Sequence, residues 1–185
     1  MEIHFFKNQL EFRDWFEKNH DKAREILVGF YKKETGKPSL TWPESVDQAL
    51  CYGWIDGQKR SFDDKYFLQK FTPRRPKSVW SKINKEKVEI LIASGEMKPS
   101  GLRAVEAAKQ DGRWDEAYKS QKNMSVPVDF QSALRKNEAA KTFFESLTSA
   151  KRYSFLFRIE TAKKAETRER RIRQFVEMLG RGETF

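Results

Sequence analysis

The chain has 185 residues, 38% of them apolar and 35% charged, and a formal net charge of +10. That length supports one compact domain, or one domain with a small appended one, and fifteen Phe and five Trp exclude a wholly disordered chain. One cysteine excludes an intramolecular disulfide, and with only His4 and His20 beside it no zinc-ligand spacing exists.

The charge is unevenly placed. Residues 57–87 hold ten Lys/Arg against three Asp/Glu, and residues 151–185 hold ten against five, so two segments carry the whole excess. Clustered positive charge suits acidic partners such as phosphates and nucleic acid, although a solvated basic surface also serves solubility.

The N-terminal stretch "MEIHFFKNQLEFRDWFEKNH" lacks the long apolar segment and small-residue cleavage site of a signal peptide. No apolar run approaches the ~18 residues of a bilayer span, so the expected compartment is the cytoplasm. Asn8 followed by Glu11 has capping-box spacing and predicts a helix to about His20, with Phe12, Trp15 and Phe16 on one face. "EILVGFYKK" is a short continuous apolar run and predicts a buried strand, with "TGKPS" as the turn after it.

Thr41 and Glu44 form a second capping box with Pro43 in the first turn. Val46, Ala49, Leu50 and Gly53 keep helical spacing, and Gly57 is expected to end the pattern. Cys51 falls on the apolar side as a small buried hydrophobe. "QKRSF" and "YFLQKF" flank Asp63-Asp64 as a β-hairpin. "SVWSKINKEKVEILIASG" predicts a helix capped by Ser78, with Ile83, Val88, Leu91 and Ile92 inward and Gly95 as its stop.

From Pro99 onward every periodic segment is helical. "PSGLRAVEAAKQDG" is one helix, "SQKNMSVP" a linker, and four further helices follow. In the last, Ile172, Phe175, Val176 and Leu179 sit at i, i+3, i+4 and i+7. The expected fold class is therefore α+β: a small mixed sheet with helices at residues 1–122, then an all-helical domain at 123–185.

Catalytic signatures are absent: no G-x-S-x-G elbow, no phosphate-binding glycine loop, and Asp63-Asp64 at an exposed hairpin tip. Binding chemistry is present. In "FTPRRPKSVWSKIN" the prolines stiffen a loop in which Arg74 and Arg75 offer planar forks for phosphate or carboxylate. A helix starting near Ser78 would add its free N–H groups. "GWIDGQKR" supplies Trp54, Asp56 and Lys59. Trp54 reads as a core residue on the helix face, Asp56 as a turn former or the orienter of an arginine, and Lys59 and Arg60 as facing opposite ways along a strand. Trp80 is either packing or the wall of a pocket. Lys163, Lys164 and Arg168, at an interhelix junction, are candidate partner contacts.

The stretches "GFYKKETGKPSLTWPESVDQALCYGWIDGQKRSFDD", "FTPRRPKSVWSKIN" and "RYSFLFRIETAKKAETRERRI" together resemble the YdeI/OmpD-associated, or bacteriocin-protection, family. The resemblance implies a helical C-terminal domain from about Val126 and a role in resistance, with no accepted reaction or cofactor. Some members are described as periplasmic, from which this chain departs by lacking a signal sequence.

The expected function is that of a non-enzymatic, stress- or bacteriocin-tolerance-type binding protein. Its ligand is an anionic small molecule or envelope component, held by Trp54, Asp56, Lys59, Arg74, Arg75, Ser78 and Trp80. No catalytic residue, cofactor or metal ligand is assigned. One alternative is a nucleic-acid-binding protein using segments 57–87 and 151–185. The other is an enzyme that uses Asp56, Arg74 and Arg75 on a small acidic substrate.

Overall fold

A computed structural model describes residues 2–118 and 124–185, so the expected boundary between residues 122 and 123 and the start of the "SQKNMSVP" linker lie outside the described residues. Two compact units emerge, Met1–Ala117 and Tyr118–Phe185. The first is α+β and the second helical, with no strand among the described residues after Val126.

The first unit runs β1 (Ile3–Phe5), α1 (Gln9–Asn19), β2 (Ile26–Tyr31), α2 (Trp42–Cys51), β3 (Trp54–Ser61), β4 (Tyr66–Pro73), α3 (Lys82–Ala93) and α4 (Pro99–Gln110). Asn8 accepts from the amides of Leu10 and Glu11 to start α1, and Thr41 and Glu44 close the capping box of α2. The strands form one mixed sheet in the order β1-β2-β4-β3, in which only the β1–β2 pair is parallel. Alternation sends Ile26, Val28 and Phe30 of β2 and Phe71 of β4 into a core shared with Phe12, Phe16, Leu50, Val88 and Val105.

Two expectations need correction here. Helix α2 does not continue to Gly57: it ends at Cys51, Gly53 turns the chain at φ +76, and Trp54 opens β3. A Cβ at Gly53 would sit 2.9 Å from the Ser100 carbonyl, so both the backbone angle and the space require glycine. On α3 only Val88 and Leu91 are buried, whereas Ile83 and Ile92 are exposed.

β3 carries a bulge between Asp56 and Lys59, where the register against β4 slips. Buried Gln69 donates to the Gly57 carbonyl across it (2.8 Å), satisfying a group the ladder leaves open. Beyond the bulge Lys59 pairs with Gln69 and Arg60 with Leu68.

The second unit packs α5 (Val128–Arg135), α6 (Glu138–Ser146), α7 (Ser149–Glu160) and α8 (Ala165–Gly180) around Phe130, Phe144, Phe155, Ile159, Phe175 and Leu179. Asn137 caps α6 and Thr148 caps α7. Phe175 lies edge-on to Phe155 at 5.3 Å. No described helix is long and apolar enough to cross a membrane.

Phe175→Ala is expected to cost about 3–5 kcal/mol, as truncation of a buried ring does, in denaturant melts of the whole chain. A loss below about 1 kcal/mol would contradict the packing of α8.

Candidate functional site

The Arg74–Ser81 segment leaves β4 and is pinned at both ends. The Arg74 amide donates to the Gly53 carbonyl (2.9 Å), tying the loop to the corner after α2. Further on, Trp80 is buried and lies 5.0 Å from Trp114 in a tilted-edge contact. Arg113, just after α4, donates to the Ser78 carbonyl (2.7 Å) while also holding Asp111.

Within this frame Arg74 folds back. Its guanidinium carbon lies 3.5 Å from the Trp80 ring centroid, and Nη1 donates to the Val79 carbonyl (3.2 Å) and, at 3.5 Å, to the Ser78 hydroxyl. Arg75 and Lys77 are exposed. Lys77 adopts φ +80, the one non-glycine residue in the left-handed region among those described, in a turn closed by the Ser78 amide on the Arg75 carbonyl (2.9 Å).

Ser78 does not cap the following helix. That role belongs to Ser81, whose hydroxyl accepts from the Asn84 amide (3.1 Å), and α3 begins at Lys82. The helix starts three residues later than expected because Trp80 is drawn out of helical register into the core.

Asp56 stands half-buried on β3, and burial pushes its carboxyl above the ordinary 3.8, while a Trp42 hydrogen bond and the Arg74 charge oppose that shift. Trp54 is fully buried, edge-on to Phe16 and Trp15, with its indole N–H on the His20 carbonyl (3.2 Å). It is a core residue at the start of a strand, not a continuation of a helix face. Lys59 is exposed, with its ammonium 4.1 Å from the Phe67 ring centroid. The fold therefore brings Asp56, Arg74, Arg75, Ser78 and Trp80 into one neighbourhood, while Trp54 is taken up by the core against Phe16 and Trp15 and Lys59 lies over Phe67. Cys51 is buried at the end of α2, and burial pushes its thiol up to about 11.

Arg113, Trp114 and Trp42 are site neighbours that the sequence reading missed. The signal was available in "DGRWD", an Arg-Trp pair directly after the Asp-Gly stop of a helix. Among the described residues no group of three or more His, Cys, Asp or Glu side chains is gathered as metal ligands.

In the second unit Arg168 forms a two-pronged bond with Asp129 (2.6 and 3.0 Å) and donates to the Ile159 carbonyl (2.9 Å). That pairing raises the arginine's pKa and holds the Asp129 carboxyl low. It pins α8 to α5 and to the end of α7. Lys163 and Lys164 are exposed at the α7–α8 junction.

Two measurements probe this arrangement. Arg74→Ala is expected to lower stability by about 1–2 kcal/mol, through loss of the ring stack and a backbone hydrogen bond. For Asp56 a raised native pKa means the folded chain binds the proton more readily than the unfolded one. Its contribution is therefore present at low pH and is lost as pH rises through the raised value. Asp56→Asn should gain melting temperature relative to the parent at pH 7 and lose that advantage below about pH 3.8. A drop at pH 7 would instead make the Arg74–Asp56 attraction the larger effect.

Residues 4–104, more than half of the chain, match a family described as a domain of unknown function (DUF8412). Residues 123–182 match the family described as Bacteriocin-protection, YdeI or OmpD-Associated. No curated protein and no solved structure matches the chain. The chain therefore belongs to the family defined by that domain of unknown function and carries a YdeI/OmpD-associated domain as its helical C-terminal part.

Proposed function

We propose that this protein is a non-enzymatic binding protein of the bacteriocin-tolerance type, which holds a phosphate- or carboxylate-bearing small molecule or envelope component at the Arg74–Ser78 turn. The family description supports the tolerance role at a general level. The observation that carries the anion site is Lys77: a long cationic side chain held at φ +80 beside exposed Arg75, between Pro76 and Ser78. A left-handed backbone costs a non-glycine residue roughly 1–2 kcal/mol, and a turn that needed only its shape would be better served by glycine.

The division of labour follows from the contacts. Arg74 is spent on Trp80 and the Val79 carbonyl and gives the turn its shape. Arg75 and Lys77 present charge outward, where bidentate and point-charge contacts to an anion complement one another. Prolines 73 and 76 limit the freedom lost on binding.

The test uses inorganic pyrophosphate as probe, with calorimetry at low salt and a melting curve on each sample. Arg75→Ala with Lys77→Ala is expected to weaken binding by about tenfold or more, since charge-assisted hydrogen bonds contribute on that scale, and to leave the melting temperature nearly unchanged. Lys77→Gly is expected to raise stability by about 1 kcal/mol while also weakening binding. Undiminished pyrophosphate binding in the double variant would remove the site.

A further inference from the structure

The sheet face turned away from the helices lies outside the larger core cluster and outside the Arg74–Ser78 turn. Register lays its residues out in rows: Ile3, Leu27 and Lys70; then Phe5, Gly29, Leu68 and Arg60; then Tyr31 and Tyr66. None of these belongs to the larger hydrophobic core cluster, and of them only Gly29 and Leu68 are buried. Gly29 matters here for space, because a Cβ at that position would run into the Phe5 ring. With glycine there, the ring settles across β2, stacked on Tyr31 (4.8 Å between centroids, 19° between planes) and edge-on to Tyr66 (5.1 Å).

Phe62, at the end of the β3–β4 hairpin, continues the row by stacking on Tyr66 (4.9 Å, 15°). Phe62 is 51% exposed and Phe5 39%. Four aromatic rings thus form one ribbon on an open sheet. Beside it lies a groove of about 420 Å³ with an apolar floor of Ile3, Leu27 and Leu68 and with Arg60 and Lys70 at its rim. Lys37 adds a third cation, its ammonium 4.7 Å from the Tyr31 ring centroid. Lys70 is paired with Glu25, while Arg60 and Lys37 are exposed.

Flat rings offer π-faces to any base, and cations spaced around them offer contacts to phosphate. A duplex hides its bases and would use only the charge. A second copy of a chain carrying +10 would bring one basic rim against another. We infer that this face binds single-stranded nucleic acid, stacking bases on Phe5 and Phe62 and their tyrosine neighbours and setting phosphates against Arg60 and Lys37. The bulge in β3 contributes directly, because its register slip sets Arg60 opposite Leu68, on the ring-bearing face.

The experiment is fluorescence polarisation of a dye-labelled, mixed-sequence 12-nucleotide single strand with the whole protein, beside its duplex and across a salt series. The single strand is expected to bind at least tenfold tighter than the duplex. Phe62→Ala, an exposed position, is expected to weaken single-strand binding about five- to a hundredfold with an unchanged melting temperature. Arg60→Gln with Lys37→Gln is expected to flatten the dependence of affinity on salt. The Arg75→Ala, Lys77→Ala variant is expected to bind the strand within about twofold of the parent, which separates this face from the anion turn. Equal affinity for strand and duplex, unaffected by Phe62→Ala, would overturn the inference and leave simple charge attraction. So would a dimer in sedimentation that Phe62→Ala dissolves, since a second copy would then occupy the face.

Discussion

The N-terminal unit hangs on the corner at Gly53. There the backbone turns left-handed, α2 stops, and the carbonyl groups of Cys51 and Gly53 become anchors. The Lys98 amide donates to Cys51 (3.0 Å) and brings in the start of α4, where Gly101 is pressed so close to the Cys51 carbonyl that no Cβ would fit. The Arg74 amide donates to Gly53 (2.9 Å) and brings in the end of β4. One residue later Trp54 enters the core against Phe16. A side chain at Gly53 would disturb a helix end, a strand start and the base of the basic turn together.

That corner explains why charge and core lie so close. Trp80 is buried, yet three cations, Arg74, Arg75 and Lys77, stand within six residues before it. The stack of Arg74 on Trp80 resolves the conflict, because guanidinium is weakly hydrated and tolerates an aromatic face. The turn therefore has a rigid, partly desolvated side and an outward side where Arg75 and Lys77 stay hydrated. The sheet has a similar two-sidedness. Its inner face is aliphatic and aromatic core, while its outer face mixes rings with cations, and Gln69 seals the bulge between the two registers of β3.

Much of this was legible in the sequence where the determinants are local. Asn8, Thr41 with Glu44, the Asp63-Asp64 turn and the period of Ile172, Phe175 and Leu179 each carry their structure within four to eight residues. The misses have non-local causes. Gly53 keeps helical spacing, and only the approach of Ser100 reveals it as a corner. Ser78 is the cap expected from the sequence, and the burial of Trp80 against Trp114 moves that role to Ser81. Lys59 and Arg60 could be assigned to opposite faces, but the bulge that determines which faces the rings leaves no mark in the alternation pattern. The ribbon of Phe5, Tyr31, Phe62 and Tyr66 is assembled from three strands and a hairpin end, so no single stretch announces it.

The central claim, that the turn anchored at Gly53 is an anion site, is most directly tested by following backbone amide shifts while inorganic pyrophosphate is added at low salt. A saturable response concentrated at Arg75, Lys77 and Ser78, with little change along α8, is the expected result. A weak, unsaturable response spread over the basic residues of α8 and the turn alike would contradict it, and would mean that the positive charge at this turn is ordinary solvated surface.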